Sequence, residues 1–223
     1  MQENICDERN MVEENVAGII KSLPPDVTLI AATKSVPAEM INRAIDCGIR
    51  HIGENRVQEL LAKYEQINKD GVTVHFIGKL QSNKVKYIVG KADLIHSVDS
   101  VRLGEIIDKC AEKLGKVQDI LLEVNIGGEE NKSGVSQKDT EQTVRELAKL
   151  PNIRLLGLMA IPPPSCSEEI YFKMRKLFVD IRGKNVDNID MKYLSLGMSH
   201  DYPLAIAHGA NMVRVGRKIF GKR

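Results

Sequence analysis

The first residue in this chain with chemistry to offer is a lysine at the end of an apolar run. In Leu29-Ile30-Ala31-Ala32-Thr33-Lys34-Ser35-Val36-Pro37 a short hydrophobic stretch leads into Lys34, and Pro37 stops it. A strand of that composition is buried on both faces, as in a parallel sheet covered by helices. An amine lifted out of such a wall is partly desolvated, which favours its neutral form, and a neutral amine attacks aldehydes. Lys34 is therefore a candidate Schiff-base lysine, and a solvated strand-end lysine is the other reading of the same residues.

Two later turns could hold an anion. Leu196-Gly197-Met198-Ser199-His200-Asp201 passes from strand to helix, and a helix amino terminus there offers free N–H groups to a phosphate. Val213-Arg214-Val215-Gly216-Arg217 carries a glycine where backbone amides can come close. Ser199, Gly216 and Arg217 thus form a candidate phosphate cradle, although serine and glycine at a helix start are also ordinary caps. An amine across from a phosphate cradle fits an aldehyde that carries a phosphate, and pyridoxal 5′-phosphate (PLP) is the common one. Arg214 would then face the pyridine nitrogen. A guanidinium keeps its proton, so that nitrogen stays unprotonated and the ring becomes a poor electron sink, which argues against transaminase-like chemistry.

The elements that must position these residues alternate along the chain. An amphipathic opening helix is expected over 3–22, with Ile5, Met11, Val12, Val16, Ile19 and Ile20 at helical spacing. Strands follow at 28–34, 49–55, 72–79, 94–99, 119–126, 153–161, 193–198 and 212–220. Helices fall between them at 37–47, 56–67, 83–89, 101–114, 138–150, 168–181 and 202–208, with a Gly-rich polar loop at 127–134 and Pro162-Pro163-Pro164 after the sixth strand. Eight strands alternating with helices, without a linker, predict one α/β domain over 1–223: a (β/α)₈ TIM barrel. Nothing follows the last strand that could form a final helix, so the opening helix is expected to close the barrel. In such a barrel the working residues collect at the carboxyl ends of the strands. Those ends carry Lys34, Glu54, Asn55, Gly78, Lys79, Ser97, Asp99, Asn125, Met159, Ser199, Arg214 and Gly216.

Composition removes several function classes. The 32 basic and 30 acidic residues give a net charge of +2, too balanced for a nucleic-acid or anionic-membrane surface. Tryptophan is absent and aromatics are 4% of the chain, which disfavours a base-stacking platform. Cys6, Cys47, Cys110 and Cys166 are scattered, without the spacing of a disulfide framework or a zinc site. The five histidines, His51, His75, His96, His200 and His208, fall on separate elements without ligand spacing, so no metal is expected. His200 could serve as a proton donor at the barrel mouth or face solvent, and Lys132 could reach the mouth from its loop or lie on the surface. No signal-peptide pattern or membrane-length apolar run appears, and the cytoplasm is expected.

Seven blocks occur in order: LIAATKSVP, HIGENRVQE, HFIGKLQSNK, VNIGGEENKSG, GLMAIPP, LSLGMSHD and MVRVGRKIFG. Together they resemble the pyridoxal phosphate homeostasis proteins, whose fold is similar to the barrel domain of bacterial alanine racemases. That resemblance implies that Lys34 forms the imine, and that Ser199, Gly216 and the Arg217 amide hold the phosphate. It also implies that Arg214 faces the pyridine nitrogen, that Asn55 and Met159 line the ring pocket, and that Met198 sits beside Ser199. The chain departs from the family pattern at Val36, where many members carry a second lysine, and at Val74, where a tryptophan is frequent. It departs again at Arg217, where a small or hydroxylated residue is usual. The first departure counts against handover through a second lysine, and the last leaves the phosphate contact to the backbone.

Racemisation needs two bases, one on each face of the ring. In the racemases that the barrel resembles, the second is a tyrosine from a further domain. Here Gly221-Lys222-Arg223 closes the chain, and Tyr202 is the tyrosine nearest the mouth in sequence. The expectation is binding without turnover, in storage or delivery of vitamin B6, by a monomer whose partners are PLP and the apo-enzymes that use it. The alternative is a PLP-dependent amino-acid racemase using Lys34 with His200 or Tyr202. A phosphate-binding isomerase barrel without PLP is a third possibility.

Overall fold

The structure, a computed structural model, describes residues 2–129, 131–163 and 166–221. Glu130, Pro164, Lys222, Arg223 and the side chains of Ile5 and Cys6 lie outside the described residues. The strands are β1 (Thr28–Ala32), β2 (His51–Glu54), β3 (Thr73–Phe76), β4 (Leu94–Val98), β5 (Gln118–Asn125), β6 (Val135–Ser136), β7 (Ile153–Met159), β8 (Ile189–Met198) and β9 (Met212–Val215). The helices are α1 (Gln2–Ser22), α2 (Ala38–Asp46), α3 (Val57–Lys63), α4 (Val85–Ile88), α5 (Val101–Lys113), α6 (Thr140–Leu147), α7 (Glu168–Arg182), α8 (Tyr202–Ala207) and α9 (Arg217–Phe220).

Among the described residues the strands run β4-β3-β2-β1-β9-β8-β7-β5-β6, and β4 also pairs with β5. That pairing closes eight parallel strands into a barrel with helices outside, the (β/α)₈ fold expected. The ninth strand, β6, is two residues long and pairs with the end of β5. It follows the 127–134 loop and had no apolar run to announce it.

Strand alternation divides the barrel into an outside and an inside. On β9, Val213 and Val215 point out to the helices, while Met212 and Arg214 point in. Ile30, Leu94, Leu121, Leu156, Met159 and Met212 fill the interior, with Tyr193 against them. Burying a side chain of that size stabilises by roughly 1.5–3 kcal/mol, so this plug holds the strands in register.

Most elements are shorter than the sequence expectation, and three boundaries bear on the site or the closing of the barrel. The first strand stops at Ala32 rather than 34, and the last at Val215 rather than 220, with α9 starting at Arg217. Strand β8 starts at Ile189, ahead of the expected 193: Ile189, Met191 and Tyr193 alternate with the exposed Asp190 and Lys192, the pattern of a half-exposed strand. The opening helix therefore shares the closing of the barrel with α9. Val12 and Val16 of α1 are fully buried, and Asn15 Nδ2 donates to the Ile219 carbonyl at 3.1 Å. Among the described residues no helix is long and apolar enough to cross a membrane.

Candidate functional site

A cavity of about 370 Å³ opens at the carboxyl ends of β1, β2, β8 and β9. Lys34, Asn55, Met198, Ser199, Arg214, Gly216 and Arg217 all line it, with Ala32, Ile77, Ile161 and His200. Met159 does not. It is fully buried one layer lower, in the interior plug, and Ile161, two residues further on the same inward face, takes the place at the cavity wall. Lys132 is exposed on its loop and is not among the lining residues.

Lys34 is not the last residue of its strand, and it is not set in an apolar wall. It stands exposed on the turn that follows β1, between the fully buried Thr33 and Ser35, whose φ is 56°. That left-handed conformation is uncommon for a residue with a side chain and persists only where neighbours over-determine it. Here the turn is strapped from several sides. Val36 N donates to Thr33 O at 3.0 Å, and Ser35 N donates to Glu59 Oε2 at 2.7 Å. Lys63 Nζ donates to the carbonyls of Thr33 and Val36 at 3.0 and 3.2 Å and pairs with the buried Glu54 carboxylate. Thr33 Oγ1 donates to the same carboxylate at 2.8 Å. Among the described residues the Lys34 amine itself has no hydrogen bond or ion pair.

The turn after β9 lies against β1 because residue 216 has no side chain. A Cβ there would sit 3.1 Å from the Ala32 carbonyl oxygen and 3.3 Å from its Cβ, tighter than ordinary packing. This close approach sets the Gly216 and Arg217 amides beside the Lys34 turn. Ser199 Oγ accepts from Gly216 N at 3.1 Å and ties the two turns together. The 198–201 turn differs from the open helix terminus expected. Helix α8 has only six residues, and the Met198 amide donates to Asp201 Oδ1 at 2.7 Å, so it is already engaged. Tyr171 Oη donates to the other oxygen of Asp201 at 2.6 Å, and together with burial this raises the phenol's pKa. The free groups of the cradle are thus the Ser199 hydroxyl, the amides at the start of α9 and the exposed Arg217 side chain.

Arg214 is 5% exposed and reaches the cavity from below. Its NH1 donates to Ser195 Oγ at 2.6 Å and its NH2 to the Ala160 carbonyl at 2.9 Å. Burial pushes its pKa down to about 10, against the fields of Glu123 and Asp201, so it remains a cation near neutrality. Glu123, buried on β5, accepts from Ser133 Oγ at 2.8 Å, and burial raises its pKa above the ordinary carboxylate range.

Three of the histidines that fall on separate elements meet inside the barrel. His96 Nδ1 is 3.1 Å from Ser195 Oγ, His75 Nδ1 is 2.9 Å from His96 Nε2, and His51 Nδ1 is 3.0 Å from His75 Nε2. Sequence reasoning missed this column, and missed Ser195 and the Glu54–Lys63 strap. The signal was present as one histidine on each of three consecutive strands; only the strand order made it readable.

The chain matches the family described as alanine racemase, N-terminal domain, over residues 8–223. It is 45% identical over 199 residues to the pyridoxal phosphate homeostasis protein of Aquifex aeolicus, covering 87% of this chain and 86% of that protein. The structure of PipY from Synechococcus elongatus with PLP bound is similar with a TM-score of 0.86 and 36% identity, over 94% of this chain and all of that one. The alanine racemase of Streptomyces coelicolor shares the fold with a TM-score of 0.76 at 16% identity, and this chain spans 59% of its length.

Proposed function

This chain belongs to the pyridoxal phosphate homeostasis proteins, and on that premise we propose that it holds PLP as a Schiff base on Lys34. In this reading it serves intracellular vitamin B6 homeostasis, by storage or delivery, without substantial catalytic turnover. It works as a single barrel domain and a monomer, and apo-enzymes that use the same cofactor receive it.

One observation carries the reading: the Lys34 amine, without a partner among the described residues, the Ser199, Gly216 and Arg217 turns and the locked Arg214 guanidinium line one cavity. When bound, PLP supplies an aldehyde for an amine to capture and a pyridine ring able to delocalise charge. Lys34 offers that amine from a turn held rigid on its inner side. The Ser199 hydroxyl, whose oxygen accepts from the Gly216 amide, and the Arg217 amide offer donors to phosphate oxygens, and the absence of a Cβ at 216 keeps the approach open. Arg214 donates toward the pyridine nitrogen and, as a cation that keeps its proton, leaves that nitrogen unprotonated. Asn55 and Met198 border the ring, and Met159 supports the floor from the interior plug.

The case against turnover rests on the second base. Among the lining residues there is no tyrosine, and Tyr202 is buried on α8. His200 favours the alternative, an amino-acid racemase: it lines the cavity, half exposed, with Nδ1 3.6 Å from Asp201 Oδ1. Purified protein with added PLP is expected to show a visible band that borohydride removes, leaving an adduct on Lys34. Lys34→Ala is expected to abolish the band. Incubation with a panel of amino acids in deuterated water is expected to leave Cα unlabelled. Labelling at enzymatic rates would replace this reading with the racemase, and a colourless protein indifferent to PLP would end both.

A further inference from the structure

The histidine column has a direction. Arg214 can only donate, so Ser195 Oγ must accept from it. The remaining hydroxyl proton of Ser195 has one acceptor in reach among the described residues, His96 Nδ1 at 3.1 Å. His96 must then carry its proton on Nε2 and donate to His75 Nδ1 at 2.9 Å. His75 in turn donates from Nε2 to His51 Nδ1 at 3.0 Å. His51, at the start of β2 and partly exposed, keeps its own Nε2 proton for the groove at the amino end of the barrel, beside Thr28, Gly48 and Arg50. The opposite polarity would aim two donors at Ser195 Oγ and leave its hydroxyl proton without a partner inside a sealed barrel, where an unmade hydrogen bond is costly.

The rings touch through their nitrogens and not their faces: the His75 and His96 planes cross at 74°. Their neutrality also has a cause. His96 is fully buried beside a cation, and burial pushes His75 down to about 3, so neither ring adds a charge next to Arg214. Neutral imidazoles can satisfy a buried guanidinium's partner without the desolvation penalty of another ion.

We infer that His96, His75 and His51 are positioning residues for Arg214, a polarised strut of Nε2–H tautomers that runs from the cofactor cavity to the opposite face of the barrel. The strut fixes NH1 through Ser195, the Ala160 carbonyl holds NH2, and the remaining N–H groups are left to the cavity. The column stands on its own contacts, while its service to a pyridine nitrogen rests on the proposed binding of PLP.

The full chain, labelled with ¹⁵N-histidine and free of ligand, tests the column directly by long-range ¹⁵N–¹H correlation. His96 and His75 are expected to show a bare Nδ1 and a protonated Nε2, and a protonated Nδ1 on either would overturn the inference. Ser195→Ala cuts the strut at its top without changing the rings. It is expected to mix the His96 tautomers and to speed solvent exchange of the Arg214 side-chain protons by about fivefold, the value of one ordinary hydrogen bond. The same loss should weaken PLP retention by about fivefold and move the ¹⁵N resonance of the bound pyridine nitrogen. His75→Phe, which does not touch the cavity, is expected to repeat these effects. Unchanged tautomers, exchange and retention in both variants would sink the strut. A parent chain that shows the tautomers but binds no PLP would leave the strut standing and remove only its cofactor role.

Discussion

Two cations face the same cavity, and the protein treats them in opposite ways. Lys34 is exposed, its amine unengaged among the described residues, and everything that holds it acts on the backbone beneath. Arg214 is buried, with both ends of its guanidinium engaged and its support lying inside the barrel. The Lys34 turn is strapped by ions, the Glu54–Lys63 pair and Glu59, whereas Arg214 is propped by a serine and three neutral rings. Both supports are buried, so the contrast lies in how charge is compensated. Glu54 and Lys63 neutralise each other, and Thr33 and the Thr33 and Val36 carbonyls satisfy their remaining groups, whereas beside Arg214 neutral partners spare the barrel interior the several kcal/mol of desolvating a further ion. A nucleophile needs a mobile side chain on a fixed turn, and a ring-nitrogen donor needs to be immobile.

The largest test of that contrast strikes the ionic strap. Lys63→Met strands Glu54 in a buried site, and urea unfolding is expected to show a loss of about 3 kcal/mol. A loss under about 1 kcal/mol would mean that the strap contributes little beyond a surface pair. The neutral column should show itself through pH. In the unfolded chain His75 and His96 take up protons near 6.5, but in the folded chain burial holds both well below, His75 at about 3. The unfolded state thus binds more protons in that window, and the stability present above pH 6.5 is lost as pH falls. The expected slope is about 1.4 kcal/mol per pH unit for each ring, read as a falling Tm between pH 7 and 5. Glu123, held high by burial, pulls the other way, and His51, lowered by burial, adds to the two rings. A Tm that stays level over that range would contradict neutral buried rings. The smallest effect belongs to Lys34 itself. Because its side chain is exposed, Lys34→Ala should change the unfolding free energy by under about 0.5 kcal/mol while erasing the imine band.

Much of the cavity was legible before any coordinates. Lys34, Ser199, Gly216 and Arg214 announced themselves because polar residues at the ends of apolar strands, with glycine in the turn, have few other uses in a barrel. Met159 was assigned to the wall and sits in the floor, since alternation tells which face a residue takes and not at which height. The desolvated lysine was also wrong. The strand stopped two residues early, at Ala32: Thr33 N still donates to Gly53 O, but the chain then turns back, with Val36 N donating to Thr33 O and Ser35 at φ 56°. His51, His75 and His96 fall on separate elements without metal-ligand spacing, and their neighbours in sequence give no sign that the three rings meet.

The sequence by itself determined the alternation of strands and helices, the barrel that follows from it, and the identities of the groups at the mouth. These are local properties, carried by hydrophobic period and turn chemistry over a few residues. Only the tertiary structure decided that three distant histidines form one column and that Glu54 and Lys63 brace the turn of Lys34. It also decided that Arg214 is locked while Lys34 is free. Those outcomes depend on which strands lie side by side and at what stagger, and no short stretch of chain encodes that.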